Sequence, residues 1–238
     1  MSLEICVRKK LKYFEIDLDL ACPDDHLLVM IGPSGGGKTT LIRMVAGLET
    51  PDAGRIAYRG ETWFDSERKI DLPPQKRRLG YVFQEYTLFP HLSLYENAAF
   101  AAVDRAEVDD LFVRFGIDHL RQRKPHQVSG GERQRCALCQ ALARRPRLLL
   151  LDEPFSALDV VTRRCLREAV KGLREGLSCP ILYVTHDINE ALFLADEMVP
   201  VVEGKIDRGW MQRTIAPIPE AEAAPPRATR QPRLALVY

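Results

Sequence analysis

A glycine-rich segment at residues 32–39 constrains the fold of this chain more than any other feature. It reads, in order, Gly32, Pro33, Ser34, Gly35, Gly36, Gly37, Lys38 and Thr39. An apolar run at 27–31 precedes it, and helix-compatible residues follow as far as Gly47, where a C-cap glycine is expected. A loop between a buried strand and a helix presents N–H groups and the positive end of the helix dipole to phosphate oxygens. The segment therefore predicts a nucleoside triphosphate site, because a simple glycine-rich turn would leave Gly-Lys-Thr unexplained.

Individual residues in and near this segment have separate expected tasks. Lys38 is expected to reach the β- and γ-phosphates and the Thr39 hydroxyl to bind Mg²⁺, while Thr40 belongs to the same cofactor-binding set. Tyr13 lies upstream, out of phase with the buried face of a predicted strand at 14–20. It is expected either to stack on an adenine ring or to be an ordinary strand-edge aromatic residue.

Polar side chains follow three other short apolar runs of strand length. They are Gln84, the pair Asp152 and Glu153, and the pair Thr185 and His186. In an open parallel sheet, ligands lie beyond the carboxyl ends of the strands. We therefore expect four strand ends, including the one before the glycine-rich loop, to deliver side chains to one crevice.

The adjacent carboxylates after the leucine run at 148–151 suit two different tasks, because neighbours on an extended segment point in different directions. Asp152 is expected to hold the hydration shell of Mg²⁺. Glu153 is expected to orient and deprotonate an attacking water molecule. The alternative, an acidic pair that caps the next helix, does not account for the phosphate loop upstream.

The remaining pattern predicts an α/β fold of the P-loop NTPase (RecA-like) class, with a mostly parallel sheet core, a small antiparallel β subdomain and a helical insertion. The core and the subdomain are expected at 1–85 and 146–210, and the insertion at 86–145. Within the first part, the charged segment 65–78 is expected to be a surface loop. The proline- and alanine-rich tail at 211–238 is expected to be disordered.

Composition argues against several classes of function. Lysine and arginine total 34 against 33 acidic residues, so no overall field favours nucleic acid or anionic lipid, and the basic clusters at 75–78 and 144–145 are expected to be solvated. The N-terminus lacks a signal-peptide pattern, which favours a reducing cytoplasm and free thiols for the six cysteines. Cys136 and Cys139 are expected to be buried hydrophobes. No apolar run approaches the ~20 residues needed to span a bilayer, so a membrane role is expected to be peripheral.

A second glycine-containing segment opens a helix predicted at 129–144. It consists of Ser129, Gly130, Gly131 and Glu132, in which the serine and the glutamate have the spacing of a capping box. The two glycines are unnecessary for capping and would let a phosphate approach the exposed N–H groups. With the phosphate loop, the strand-end residues and the segment 156–159, this segment makes residues 3–209 resemble the ATP-binding subunits of ABC transporters. Two positions differ from the usual signature: valine at 128 for leucine, and Glu132 for the common glutamine.

The resemblance implies a head-to-tail dimer in which the signature segment and Asp159 of one copy close over ATP and Mg²⁺ on the other. It implies that His186 contacts the γ-phosphate and that Gln84 senses Mg²⁺ and the water. It also implies ATP hydrolysis at the cytoplasmic face of the inner membrane, with a permease subunit and, indirectly, a solute-binding protein as partners. Nucleic acid is not an expected partner.

Within this family, residues 72–84 and 88–91 resemble importer ATPases for small solutes, closest to the molybdate or tungstate type. Residues 88–92 are expected either to border a groove that receives a cytoplasmic helix of the permease or to pack in the core. The alternatives are a sulfate, iron or polyamine importer and a soluble ABC ATPase of DNA repair or translation. A P-loop kinase or GTPase would not need the Ser129 segment, and a scaffold with a dead site would not need Lys38, Glu153 and His186.

Overall fold

The computed structural model describes residues 3–85, 87–156, 158–173 and 179–215. The strands are β1 (Leu3–Lys10), β2 (Glu15–Cys22), β3 (Leu27–Ile31), β4 (Ala53–Tyr58), β5 (Glu61–Asp65), β6 (Ile70–Asp71), β7 (Gly80–Val82), β8 (Leu149–Asp152), β9 (Ile181–Thr185), β10 (Glu197–Val202) and β11 (Lys205–Ile206). The helices are α1 (Lys38–Ala46), α2 (Pro74–Arg77), α3 (Leu94–Ala99), α4 (Arg105–Arg114), α5 (Gly130–Leu142), α6 (Val160–Leu173), α7 (Ile188–Leu194) and α8 (Arg208–Ile215). Short 3-10 turns lie at Asp118–Leu120 and Pro125–Gln127.

The strands form two sheets that match the predicted fold class. The larger sheet has the order β11-β10-β3-β9-β8-β7, and all its strand pairs except β10–β11 are parallel. The smaller sheet is antiparallel, with the order β2-β1-β4-β5-β6. The parallel core and the antiparallel subdomain are thus confirmed.

The strand-length apolar runs of the sequence show no alternation of polar and apolar residues, because the parallel sheet is covered on both faces. All five residues of β3 are buried. Leu27, Val29 and Ile31 belong to the core beneath helices α3 to α7, whereas Leu28 and Met30 belong to the core that contains α1 and the antiparallel sheet. Strands buried on both faces lose the alternation of polar and apolar residues that marks β2.

The insertion consists of α3, α4, the two 3-10 turns and α5, and its helices begin within one residue of 94, 106 and 129, where the sequence pattern predicts helix starts. The sequence pattern predicts a helix at 94–103, but α3 ends earlier, at Ala99. Cys136 and Cys139 are buried on α5, as expected. At the C-terminus, α8 runs to Ile215, so residues 211–215 are helical and the expected tail does not begin at 211. Residues 216–238 of that tail lie outside the described residues. The same holds for residue 175, where the amphipathic pattern that begins at 159 predicts the end of this helix.

The segment 65–78 contradicts the expectation of a solvated surface loop. It contains β6 and α2, and Arg77 at the end of α2 is only 1% exposed. The Arg77 guanidinium donates to the carbonyl oxygens of Met44 and Val45, both at 2.8 Å, near the C-terminus of α1. The last carbonyls of a helix have no partner within the helix, and a cation there also complements the helix dipole. Arg77 is therefore buried because α1 needs donors at that end.

Candidate nucleotide-binding site

The glycine-rich loop connects β3 to α1, as the sequence predicts. Gly37 is the N-cap of α1 in the left-handed region with φ of 95°, and Gly47 is its left-handed C-cap. A side chain is excluded at Gly32, where φ is 154° and a Cβ atom would lie 2.1 Å from the carbonyl oxygen of Val201 on the neighbouring strand β10. The loop is therefore compressed against the sheet, and α1 begins without a capping side chain at Gly37. Its first N–H groups are available for an anion.

The Lys38 ammonium group is held inside this loop. Its Nζ donates to the carbonyl oxygens of Gly32 and Pro33, both at 2.8 Å, and the residue is only 4% exposed. Burial lowers the pKa of Lys38, and the nearby charges of Glu153 and Asp152 oppose that shift. A positive charge is thus fixed between the loop and the acidic pair.

The Asp152 carboxylate is buried at the end of β8 and accepts hydrogen bonds at both oxygens. The Thr39 hydroxyl donates to Oδ1 at 2.9 Å, and the Tyr81 hydroxyl donates to Oδ2 at 3.2 Å. Burial raises the pKa of Asp152, and the hydrogen bonds from Thr39 and Tyr81 oppose that shift. The first helical turn and the end of β8 are therefore joined by one direct contact.

The oxygen atoms of Thr39 and Asp152 suit Mg²⁺, which takes hard oxygen ligands and usually binds through one or two protein groups, water and substrate phosphates. Within the described part of the chain, no group of three histidine, cysteine or acidic residues forms a self-sufficient metal site. This arrangement fits a metal that arrives with a phosphate ligand better than a permanently caged ion.

Two side chains from the ends of other strands contact the Glu153 carboxylate. Gln84 Nε2 donates to its Oε2 at 3.4 Å, and His186 Nδ1 lies 3.2 Å from the same oxygen. The backbone of Glu153 has a φ of 44°, and its N–H donates to the carbonyl oxygen of Val184 on β9. A left-handed residue that is not glycine is uncommon and is found at functional sites. This turn directs Glu153 away from Asp152 and towards Gln84 and His186.

A pocket of about 290 Å³ opens beside the loop and is lined by residues 11–14, 35–40 and Glu153. Tyr13 lies on its rim in the turn between β1 and β2 and is 83% exposed. Thr40 lines the wall, whereas residues 32–34 of the loop lie outside the lining. The Lys12 ammonium lies 5.0 Å from the centroid of the Tyr13 ring, and the exposed ring borders the pocket.

The Ser129 segment lies outside this pocket. Ser129 caps α5: its hydroxyl accepts from the N–H of Glu132 at 3.3 Å, and its own N–H donates to the Glu132 carboxylate at 2.7 Å. Gly131 packs against α6, since a Cβ atom there would lie 2.5 Å from Cγ2 of Thr162. This close approach gives Gly131 a packing role at the start of α5, and the predicted approach of a phosphate to both glycines stays a prediction. Gly130 is the first residue of α5.

Asp159 caps the start of α6. Its Oδ1 accepts hydrogen bonds from the backbone N–H groups of Val161 and Thr162, both at 3.0 Å. Hydrogen bonds from Thr162 lower the pKa of the Asp159 carboxyl. Asp159, like the Ser129 segment, is absent from the lining of the pocket beside the phosphate loop.

A buried carboxylate, Glu190, lies close to His186 and is not among the residues predicted from the sequence. Glu190 on α7 accepts hydrogen bonds at Oε2 from Thr185 at 2.8 Å and from Tyr183 at 3.0 Å. Burial raises the pKa of Glu190. Arg163 of α6 lies 3.9 Å from Glu190 and 3.6 Å from Asp187, and it donates to the carbonyl oxygen of Leu158. The sequence contains one signal of this site: Tyr183 and Thr185 are hydroxyl-bearing residues two positions apart in an otherwise apolar strand, so both face the same side and can donate to one buried acceptor.

A second cavity of about 520 Å³ lies along β7. We call it the apolar groove. Its lining includes Leu79, Tyr81, Phe83, Phe89, Phe100 and Ala141. Tyr81 therefore contributes both to this groove and to the environment of Asp152, a connection that the sequence analysis also missed. Leu88 is only partly buried and packs against the core beneath the insertion.

Comparison with known proteins decides the family. The profile described as ABC transporter matches residues 16–156. The chain belongs to the ABC transporter family. Within this ABC transporter family, the molybdenum import ATP-binding protein ModC of Methylococcus capsulatus is 44% identical over 209 residues, covering 85% of this chain and 58% of that protein. The molybdate/tungstate import ATP-binding protein WtpC of Archaeoglobus fulgidus is 42% identical over 212 residues, covering 87% of this chain and 85% of that protein.

The chain spans less than two thirds of the length of the ModC relative. Iron and sulfate/thiosulfate import ATP-binding proteins match at 43% and 45% identity. Among solved structures, the dimeric ATP-binding cassette MJ0796 in a post-hydrolysis state, bound to ADP and Pi, superposes with a TM-score of 0.73 at 27% identity. The match covers 87% of this chain and 97% of that one. No helix in the described ranges is long and apolar enough to cross a membrane.

Proposed function

We propose that this chain is the ATP-hydrolysing subunit of an ABC importer for a small solute, an oxyanion such as molybdate or tungstate. One observation carries the proposal: side chains from three strand ends and the start of α1 are in direct contact. Thr39 of α1 contacts Asp152 at the end of β8. Gln84, after β7, and His186, after β9, both contact Glu153. The names of the ModC and WtpC relatives support the oxyanion.

In this proposal the chain's own groups divide the work of phosphoryl transfer. The N–H groups of the glycine-rich loop and the Lys38 ammonium bind the phosphates. Thr39 and Asp152 hold Mg²⁺, which supplies neutralisation of phosphate charge when bound, and Gln84 contacts it. Glu153 orients the attacking water and accepts its proton, while His186 stabilises charge on the transferred group.

The signature residues act on a second copy of the chain. Ser129, Gly130, Gly131 and Glu132, together with Asp159, lie outside the pocket of their own chain. In a head-to-tail dimer, the N-terminus of α5 faces the γ-phosphate held by the loop of the partner copy, where its dipole favours negative charge. A permease subunit occupies the apolar groove, a solute-binding protein delivers the solute, and the dimer is peripheral to the cytoplasmic face of the inner membrane.

Co-expression of the full chain with its cognate permease, followed by reconstitution into vesicles with the cognate solute-binding protein, tests the proposal. We expect ATP hydrolysis to rise when the loaded binding protein is added, and molybdate or tungstate to enter the vesicles. Uptake of sulfate alone would favour the second candidate, a sulfate importer, which the identity to a sulfate/thiosulfate import protein supports. A rate of ATP hydrolysis that is unchanged by every membrane component but is stimulated by nucleic acid would refute a transport role.

A further inference from the structure

Tyr81 belongs to two features that the proposed function treats separately. Its ring lines the apolar groove, and its hydroxyl donates to Oδ2 of Asp152 at 3.2 Å. The residue is half-buried, so the ring contributes surface to the groove while the hydroxyl reaches the nucleotide site. One side chain thus connects the two.

The geometry of the sheet edge explains this reach. Strand β7 is an edge strand and, among the described strands, pairs with β8 alone. Tyr81 lies opposite Leu150 in the parallel register, so Asp152, two residues further along β8, is on the same face of the sheet. Leu79 and Phe83 flank Tyr81 on that face and also line the groove. A tyrosine that leans along its strand therefore spans from the groove to the end of β8.

We propose that Tyr81 is a positioning residue that links occupancy of the apolar groove to the orientation of the Asp152 carboxylate. Oδ1 of Asp152 accepts from Thr39 and Oδ2 accepts from Tyr81, so the two donors together fix the rotation of the carboxylate. The Tyr81 ring stacks on Phe83, with 3.9 Å between ring centroids and an interplanar angle of 25°. A partner that displaces Phe83 therefore displaces the donor to Asp152.

The same segment also contacts the second carboxylate. Three residues after Tyr81, the Gln84 amide donates to Glu153. One short stretch of chain beside the groove therefore supplies a donor to each member of the acidic pair. This inference rests on the proposed function, because it assigns Asp152 to the Mg²⁺ site.

Tyr81→Phe tests the link, since it removes the hydroxyl and keeps the ring. The measurement is the affinity of the full chain for the non-hydrolysable ATP analogue with an imido β–γ bridge, by calorimetry, once with Mg²⁺ and once with EDTA. We expect the gain in affinity from Mg²⁺ to fall about 3- to 10-fold, the scale of the net contribution of one hydrogen bond, with binding in EDTA unchanged. Tyr58→Phe is the matched control, because the Tyr58 hydroxyl, at the end of β4, donates to the carbonyl oxygen of Arg147 before β8, and neither residue lines the groove or the nucleotide pocket.

A double-mutant cycle with Phe83→Leu tests the connection to the groove. We expect Phe83→Leu to reduce the Mg²⁺ gain about 2- to 3-fold when Tyr81 is present and not to reduce it further in Tyr81→Phe. Equal effects in both backgrounds, or none in either, would overturn the link, as would an unchanged Mg²⁺ gain in Tyr81→Phe. If Tyr81→Phe lowers only the unfolding midpoint, the hydroxyl is structural. If the unmodified chain fails to bind the analogue at all, the proposed function fails instead.

Discussion

Gly131 and Thr162 lie so close that a methyl group on the glycine would be 2.5 Å from Cγ2 of the threonine. This contact joins the start of α5 to the start of α6. The first carries the Ser129 segment and the second follows Asp159, and we propose that both face a second copy of the chain. Because interiors are close-packed and deform little, these two helix starts are expected to move together when the copies meet.

Gly131→Ala is expected to destabilise the chain by about 1–2 kcal/mol. Overpacking costs about 1–3 kcal/mol, which exceeds the gain of up to about 1 kcal/mol for alanine over glycine in a helix. Urea denaturation of the nucleotide-free chain measures the difference. Thr162→Ser removes the clashing methyl group, so in that background Gly131→Ala is expected to be neutral or stabilising. A loss of equal size in both backgrounds would refute the packing explanation.

Glu153→Gln is expected to retain ATP binding and to lose turnover by roughly 10²-fold or more, the scale of losing a general base. The amide oxygen still accepts from Gln84, so the local structure is preserved while the basic group is gone. Steady-state hydrolysis and equilibrium binding of ATP separate the two effects. Glu203→Gln is a suitable control, because Glu203 is exposed and shares the left-handed backbone, with φ of 45°. Near-normal hydrolysis in Glu153→Gln would exclude the proposed base.

Tyr13→Ala is expected to weaken ATP binding about fivefold or more, because stacking of a base on an aromatic ring contributes about 1–3 kcal/mol. Binding of inorganic tripolyphosphate, which has no base, is expected to be unchanged. Tyr13→Phe retains the ring and should bind ATP as the unmodified chain does. Equal weakening of ATP and tripolyphosphate would mean that Tyr13 does not contact the base.

Glu190→Gln is expected to alter the pH dependence of stability. Burial raises the pKa of Glu190 in the folded chain, so the folded state holds this proton more tightly than the unfolded state. Its contribution is most favourable below the ordinary pKa of 4.5 and is lost as the pH rises from there through the raised value. Arg163 and Asp187 are the charged groups that face it.

Chemical denaturation of both proteins at pH 5 and pH 8 measures this effect. The free energy of unfolding of the unmodified chain, relative to Glu190→Gln, is expected to fall between these pH values. The comparison cancels the other carboxyls, including Asp152, whose pKa is also raised. A constant difference between the two proteins would show that Glu190 does not titrate over this range.

The strand, glycine-rich loop and helix from 27 to 46 were predictable because their signals are local. An unbroken apolar run fits only a strand covered on both faces, and Gly37 and Gly47 occupy left-handed positions that most residues avoid. The strand ends at Gln84 and Asp152 were predictable for the same reason, because a polar residue that stops an apolar run marks the edge of a sheet. Gln84 and the acidic pair lie close together because the carboxyl ends of parallel strands meet at the same edge of the sheet.

By itself, then, the sequence determined the fold class, the phosphate loop and the set of residues at the strand ends. The tertiary structure alone decided which partners individual side chains take. Arg77 looks like one more surface cation in the sequence, yet it is buried because the carbonyls of α1 need donors. Tyr81 reads as an ordinary strand residue until the register of β7 on β8 brings it to Asp152. Such contacts join residues that are far apart in the chain. The periodicity of one segment does not indicate which distant residue its side chains will contact.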